Sequence, residues 1–244
     1  MWIQRWLGKI YSRLYYSFEL DTFTFEDAEK ELKIDRGKLN IAFSYLHKAG
    51  CLTIFKRSRP RIYRLMDPNN YLLISSGKVN LIRIKQERYL NLIYSFFRQI
   101  RKLYNLKSYA VYGSVARGEA RENSDVDILI ISNDFSGSLS SRLDELYECI
   151  KHVGDELRWL SDKGIYTNLS IYPLTEDEAD KIPILFIDIA HEAKIVYDDG
   201  YLDRLLNRIR GRLAILGAER VKMSNGRWYW VLKKDIKPYE VIDV

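Results

Sequence analysis

The sequence predicts an α/β protein of the α+β type, with a helical N-terminal unit followed by a mixed sheet that carries flanking helices. Three observations predict it. Apolar residues recur at helical spacing through the first 50 residues and then give way to two short alternating runs. Two strand-like runs, 107–112 and the β-branched and Leu-containing 125–131, flank a Gly-Ser pair. Asn225-Gly226, between two strand-like runs, predicts a C-terminal β-hairpin.

The N-terminal elements follow from periodicity and caps. A helix is expected from Trp2 to about Leu20, and a second helix begins at the N-cap Thr24, with Asp27 near its first amides. The third helix begins after Asp35 and ends at Gly50. Its predicted inward residues are Leu39, Ile41, Ala42, Tyr45 and Leu46.

A hairpin follows the third helix. The run 51–55 alternates as a strand, 62–65 forms the return strand, and the turn between them is basic. Residues 1–65 hold 13 Lys/Arg and 7 Asp/Glu, so the whole net charge of +6 belongs to this first quarter. That asymmetry favours an anionic partner for this unit.

The pattern over residues 1–66 resembles a winged helix-turn-helix domain. The resemblance implies a third helix that faces the major groove of duplex DNA and a basic wing that contacts phosphates. The implied DNA-binding residues are Arg36, Lys38 and Asn40 on the helix and Lys56, Arg57, Arg59 and Arg61 on the wing. Arg64 is a fifth basic residue in the same segment. Two alternatives stay open: a charged wing that serves solubility, and a module for protein interaction or homodimer formation.

Residues 67–105 are expected to link the two units. The turn-forming segments Asp67–Asn70 and Ser75–Gly77 predict a linker, and 80–104 is predicted as one helix. At 1.5 Å per residue such a helix reaches about 35–40 Å, enough to carry the first unit away from the second.

Residues 106–200 alternate between strand and helix patterns. The predicted strands are 107–112, 125–131, 165–172 and 194–197, and the predicted helices are 114–119, 139–161, a capping-box helix after Thr175 with Glu178, and 184–193. Residues 201–244 form a C-terminal unit with an amphipathic helix, 201–216, and the hairpin. Trp228, Tyr229 and Trp230 in the hairpin indicate packing, with base stacking as the alternative.

The strongest chemical signal is the pair Asp125 and Asp127 at the start of a buried strand. Side chains two apart on a strand lie on one face, so the two carboxylates repel each other unless a cation lies between them. Mg²⁺ takes one or two carboxylates together with substrate phosphate oxygens. Gly113-Ser114, between a strand and a helix, would let the backbone approach a phosphate.

These residues resemble the minimal nucleotidyltransferase domain of the DNA polymerase β superfamily over roughly residues 81–200. The matching positions are Gly113, Ser114, Arg117, Gly118, Ser124, Asp125 and Asp127. The resemblance implies a polymerase-β-like mixed sheet, a nucleoside triphosphate substrate, and two Mg²⁺ ions held by Asp125 and Asp127. It implies nucleotide contacts from Gly113, Ser114, Arg117 and Ser124. For Arg117, a surface role on the short helix is the alternative.

The chain departs from the family pattern at one position. Members that catalyse carry a third carboxylate on the next strand, where this sequence has Asn168 and Ser170. Asn168 is the expected third catalytic position beside Asp125 and Asp127, and it cannot act as a base. Three hypotheses follow: an active nucleotidyltransferase with an unknown hydroxyl acceptor, a DNA-binding regulator whose transferase domain senses nucleotides, and a scaffold or toxin–antitoxin component with neither property.

Composition excludes other classes. No apolar run approaches the ~18 residues of a membrane helix, and Arg5 and Lys9 interrupt the apolar N-terminus, so neither a membrane partner nor a signal peptide is expected. Cys51 and Cys149 are too few for a disulfide framework, which predicts a cytoplasmic protein. Abundant Lys, Arg, Glu, Ile and Tyr hints at a thermophile.

Overall fold

The structure, a computed structural model, describes residues 3–224 and 228–234. The predicted Asn225-Gly226 turn, the residue Trp2 and the end of the chain lie outside the described residues. No described helix is long and apolar enough to cross a membrane.

The first 65 residues form three helices and a three-stranded antiparallel sheet. The helices are α1 (Arg5–Phe18), α2 (Phe25–Leu32) and α3 (Arg36–Ala49), and the strands, in the sheet order β1-β3-β2, are β1 (Thr22–Thr24), β2 (Leu52–Lys56) and β3 (Ile62–Leu65). The caps are as predicted: Thr24 forms a capping box with Asp27, Asp35 caps α3, and Gly50 ends α3 in the left-handed region. β1 was not predicted, because three residues carry too little periodicity.

The inward face of α3 differs from the prediction at two positions. Leu39, Ala42 and Leu46 are buried, but Ile41 and Tyr45 are 52% and 53% exposed. Phe43 is buried in their place and packs edge-to-face on Tyr63 at 5.0 Å. An apolar side chain at helical spacing predicts burial only when a neighbouring element covers that face.

The linker prediction is wrong for residues 67–75. They form α4 (Pro68–Ser75), which begins after the side-chain cap Asp67 and buries Tyr71 and Ile74. The guanidinium of Arg98 donates to Asp67 and Asn70, and thereby joins α4 to the following helix.

The long helix prediction is also wrong. A 3₁₀ turn (Glu87–Tyr89) leads into α5 (Leu90–Leu103), and residues 80–86 are not helical. The Tyr94 hydroxyl accepts a hydrogen bond from the Ile82 amide and donates to the Asn80 carbonyl, which holds this segment extended. Ile82 and Ile84 are buried at a spacing of two, a strand-like pattern that the helical interpretation missed.

The second sheet has four strands in the order β6-β5-β4-β7. In chain order its strands and the helices around it are β4 (Leu106–Tyr112), α6 (Gly113–Arg117), β5 (Val126–Ser132), α7 (Leu139–Lys151), α8 (Gly154–Asp162), β6 (Leu169–Leu174), α9 (Glu176–Asp180), α10 (Leu185–Glu192), β7 (Lys194–Asp198) and α11 (Tyr201–Leu216). β5 and β6 are parallel and the other two pairs are antiparallel, so the sheet is mixed.

Two boundaries differ from the prediction. The helix expected over 139–161 is two helices, because it breaks at His152 and Val153, before Gly154, a weak helix former. β6 begins at Leu169, so the residues 165–168 lead into the strand without belonging to it.

Each face of this sheet packs in a separate core. Val111, Val126 and Ile128 join a core that also contains residues of α1, α3 and α5, so the N-terminal unit packs on the second unit rather than at a distance from it. Leu129 and Ile131, on the opposite face, pack against α10 and α11. The predicted inward residues of α11 are all buried: Leu202, Leu205, Leu206, Ile209 and Leu213.

The C-terminal strands β8 (Glu219–Lys222) and β9 (Trp228–Val231) pair antiparallel. Trp230 packs against the second core, and its indole N–H donates to Asp188 at 2.9 Å. This contact favours the packing interpretation for that residue.

Candidate functional site

The two aspartates lie at one end of the four-stranded sheet. Asp125 directly precedes β5 and Asp127 is its second residue, paired with Tyr112 of β4 and Ser170 of β6. Because strand side chains alternate, Asp127 shares its face with Leu129 and Ile131, the face that α10 and α11 cover. The site is therefore on the helix-covered face, where α10 ends.

The environments of the two carboxylates differ. Burial raises the pKa of the Asp127 carboxyl, the charge of Asp125 raises it further, and a hydrogen bond from the Ser170 hydroxyl opposes both. Asp125 is exposed and accepts a hydrogen bond from the backbone N–H of Asn168 at 3.0 Å. A partly buried carboxylate beside a second one is an arrangement that a cation stabilises.

Gly113 lies directly against Asp127. Its φ of +70° is in the left-handed region, and a Cβ at this position would come within 2.0 Å of the Asp127 Oδ2. Both the backbone conformation and the contact therefore require glycine. The Gly-Ser turn and the aspartate pair, predicted to act together, are in contact.

Glu192, at the C-terminal end of α10, was missed by the sequence analysis. It accepts hydrogen bonds from the Gly113 amide at 2.8 Å and from Arg117 at 2.8 and 2.9 Å, and Arg220 of β8 donates to it at 3.2 Å. One signal was available. Glu192 follows the buried Ile189 by three residues, and a charged residue on the buried face of a helix requires a partner.

Arg117 makes two internal ion pairs. Besides Glu192, its Nε donates to Glu119 at 3.0 Å. The structure engages its guanidinium on two carboxylates, and the phosphate contact that the resemblance implies for this residue stays a prediction.

The two serines of the motif differ in their contacts. The Ser124 hydroxyl accepts from the Arg121 amide at 2.8 Å, and its carbonyl accepts from Thr167, so this residue shapes the turn before Asp125. The half-buried Ser114 hydroxyl has no hydrogen-bond partner within the described part of the chain.

Asn168 lies beside Asp125. The parallel pair Val126–Leu169 places Asn168 one step before β6, and the Asn168 carbonyl accepts from the Val126 amide at 2.8 Å. Its side chain is exposed, as is that of Ser170. Over residues 3–224 and 228–234, no group of three His, Cys, Asp or Glu side chains is arranged to hold a metal ion. The Asn168 backbone N–H contacts Asp125, and the Ser170 hydroxyl bonds to Asp127.

A cleft of about 600 Å³ opens beside this site. Its lining comes from α6, the end of α10 and the C-terminal hairpin, and includes Arg117, Glu192, Lys194, Arg220, Trp228 and Trp230. The guanidinium of Arg220 lies 5.1 Å from the Trp228 ring centroid.

The candidate DNA-binding residues fall into two groups. Arg36 pairs with Glu26 and Glu29 and lies over the Phe25 ring, and Arg57 pairs with Glu87. The others are exposed and make no side-chain ion pair or hydrogen bond in the part of the chain that the structure describes: Lys38, Asn40, Lys56, Arg59 and Arg61.

Arg64, the fifth basic residue of the wing segment, faces inward. Its side chain is 3% exposed and forms a bidentate ion pair with Glu156 of α8. The number of Lys and Arg residues in the wing segment therefore overstates its exposed positive charge.

Comparisons with known proteins agree with this geometry for the middle of the chain. Residues 93–196 match the sequence model of the family described as "Nucleotidyltransferase domain". The matched segment contains Gly113, both aspartates, Asn168 and Glu192. The match supports a nucleotidyltransferase domain here, and with it a nucleotidyl transfer function. No curated protein matches the chain.

Two solved structures show a distant likeness. One is a crystal structure of a toxin–antitoxin with AMP-PNP: it is 15% identical, the match covers 50% of this chain and 86% of that one, and the TM-score is 0.34. The other is a mutant of the toxin–antitoxin MntA-HpeT, 13% identical, with 49% and 84% of the two chains covered and a TM-score of 0.32. At these values the likenesses assign nothing to this chain.

Proposed function

We propose that the chain is an Mg²⁺-dependent nucleotidyltransferase that transfers an NMP from a nucleoside triphosphate to a hydroxyl acceptor. The observation that carries the proposal is the contact between the Gly113 turn and Asp127, with Asp125 two residues before it. The contact supports a site in which the glycine turn would bind the phosphates beside the two carboxylates.

The donor set fits Mg²⁺. Its atoms are hard oxygens: the carboxylates of Asp125 and Asp127, with the Ser170 hydroxyl bonded to Asp127. Burial, followed by the charge of Asp125, raises the pKa of the Asp127 carboxyl, and a bound cation would offset both effects. When bound, one or two Mg²⁺ ions would supply charge neutralisation for the triphosphate oxygens.

The residues of the chain then have distinct roles in transfer. Asp125 and Asp127 would hold the ions, and the Ser114 hydroxyl, which has no partner among the described residues, would donate to a phosphate oxygen. The acceptor oxygen forms a bond to the α-phosphorus, and the bond from that phosphorus to the pyrophosphate leaving group breaks. The acceptor proton leaves to solvent, because Asn168 cannot accept it and the Ser170 hydroxyl already donates to Asp127.

Calorimetric titration of ATP, GTP, CTP and UTP with Mg²⁺ tests the site. The wild type is compared with Asp125→Ala and Asp127→Ala, and Asp177→Asn, an exposed carboxylate on α9, is the matched control. We expect binding that requires Mg²⁺ and both aspartates and that the control retains. Binding of none of the four nucleotides would refute the proposal.

Transfer itself is tested by labelling with α-³²P nucleotides and candidate acceptors. We expect labelling that requires Mg²⁺ and is abolished by Asp127→Ala. Asn168→Asp restores a carboxylate at the third position and is expected to increase the rate. Labelling that persists in Asp127→Ala would place the chemistry elsewhere.

A second candidate function is that of a DNA-binding regulator whose transferase domain senses nucleotides. Asn168 favours it, because an uncharged residue at this position weakens catalysis more than binding. The N-terminal unit, proposed as a winged helix-turn-helix, is in firm contact with the transferase domain. Phe55 of β2 packs on Trp159 of α8 at 5.4 Å, next to the Arg64–Glu156 pair. Nucleotide binding could thereby alter DNA affinity.

Binding of duplex DNA as a function of salt tests the N-terminal surface. The exposed Lys56, Arg59 and Arg61 are expected to contact phosphates, so each change to Ala lowers the salt slope by about 1. Arg57→Ala is the matched control and is expected to have a smaller effect, because Glu87 already neutralises that side chain. No retention of DNA at low salt would rule out this function.

A further inference from the structure

Glu192 joins three segments that are far apart in the chain. Its side chain is 4% exposed. Its carboxylate accepts from the Gly113 amide, from Arg117 on α6, and from Arg220 on β8. The phosphate-binding turn, the short helix after it and the C-terminal hairpin therefore meet at one carboxylate.

The Gly113 amide depends on this carboxylate alone, whereas each arginine has a second carboxylate partner: Glu119 for Arg117, and Asp188 at 3.3 Å for Arg220. The Gly113 amide is the first of α6 and has no acceptor within that helix. The Arg220 side chain is only 10% exposed, and its Nε has no acceptor within the described residues. A buried donor is costly when unpaired, so Glu192 fixes the position of the Gly113 amide, and it orients the two arginines together with Glu119 and Asp188.

We infer that Glu192 is a positioning residue, which holds the Gly113 turn and Arg117 in place beside Asp127 and is itself braced by Arg220 of the C-terminal hairpin. The role in nucleotide binding rests on the proposed function; the orientation of the turn does not. The hairpin, at the end of the chain, is thereby coupled to the aspartate pair.

The competing interpretation is that Glu192 is an internal plug, a carboxylate in the place of a phosphate. The contacts argue against it. To displace Glu192, a triphosphate would have to break bonds to the amide and to two arginines and leave a buried carboxylate unpaired. The Ser114 hydroxyl, by contrast, is available without any displacement.

Amide hydrogen exchange of Gly113 in the nucleotide-free protein tests the positioning directly. In Glu192→Gln and Arg220→Gln we expect exchange about tenfold faster than in the wild type, the effect of weakening a charge-assisted hydrogen bond. Glu119→Gln is the matched control, because it removes the exposed partner of Arg117 and leaves Glu192 in place. Near-UV circular dichroism verifies that each variant is folded.

The affinity for Mg²⁺·ATP is the second measurement. Glu192→Gln and Arg220→Gln are expected to weaken it by about 10- to 100-fold. The double variant is expected to lose less than the product of the two single losses, because both act through one network. Tighter binding by Glu192→Gln would establish a plug and overturn the inference, and so would single variants that match the wild type in both measurements.

The two measurements separate the two proposals. If the wild type does not bind Mg²⁺·ATP, the proposed function fails, and Gly113 exchange still decides whether Glu192 positions the turn. If the wild type binds the nucleotide and Gly113 exchange is unchanged in Glu192→Gln and Arg220→Gln, the positioning role is wrong and the proposed function stands.

Discussion

Replacing Arg64 tests how the N-terminal unit is attached to the transferase domain. Its guanidinium donates to Glu156 at 2.5 and 2.8 Å, donates to the Leu20 carbonyl at 2.6 Å, and lies 3.5 Å from the Trp159 ring centroid. Arg64→Met removes the charge, keeps the apolar stem, and leaves a Glu156 carboxylate that is 14% exposed.

The magnitude follows from burial. Removing one partner of a buried ion pair costs about 3–5 kcal/mol. Because Glu156 retains some contact with water, we expect the lower end, a loss of about 3 kcal/mol. For a chain of this length this lowers the Tm by about 6–12 °C.

The assay is thermal and urea denaturation of the full chain. Arg61→Met, an exposed control directly before β3, is expected to lie within about 0.5 kcal/mol of the wild type. Arg64→Met/Glu156→Leu is expected to recover part of the loss, since the buried carboxylate is also gone. A single variant as stable as the Arg61 control, or a double variant that loses the sum of two single losses, would refute the reasoning.

Three further predictions concern the second domain and the segment that precedes it. The hydrogen bond from Arg142 lowers the pKa of Glu178 to about 2, so the ionised carboxylate stabilises the fold above its unfolded pKa of ~4.3, and this contribution is lost as the pH falls toward 2. Glu178→Gln should therefore be less stable than the wild type at pH 7. The free energies of unfolding of the two proteins, from denaturation curves, should converge near pH 2. Gly113→Ala is expected to cost at least about 1–2 kcal/mol and to abolish Mg²⁺·ATP binding in calorimetry, and an unchanged affinity would contradict the close contact with Asp127. Tyr94→Phe is expected to cost about 1–3 kcal/mol in urea denaturation, because the Ile82 amide and the Asn80 carbonyl both lose a buried partner.

Much of the architecture was predictable from local patterns. Helix caps such as Thr24 with Asp27 are decided within four residues, and α11 was predicted at its observed boundaries because its apolar stripe is strongly periodic. The predictions failed where distant contacts decide: Tyr94 holds residues 80–82 extended, and Ile41 and Tyr45 remain exposed because no element covers them.

The site divides in the same way. The sequence by itself predicted that Gly113 and the pair Asp125 and Asp127 form one site, because strand alternation and the need for a glycine turn are local properties, and the structure places Gly113 against Asp127. Only the tertiary structure decided that Glu192 bonds to the Gly113 amide, that Arg117 is engaged in ion pairs, and that Arg64 faces Glu156. Such pairings join residues between 75 and 92 positions apart, and the partner of a charge at that separation is set by how the elements pack.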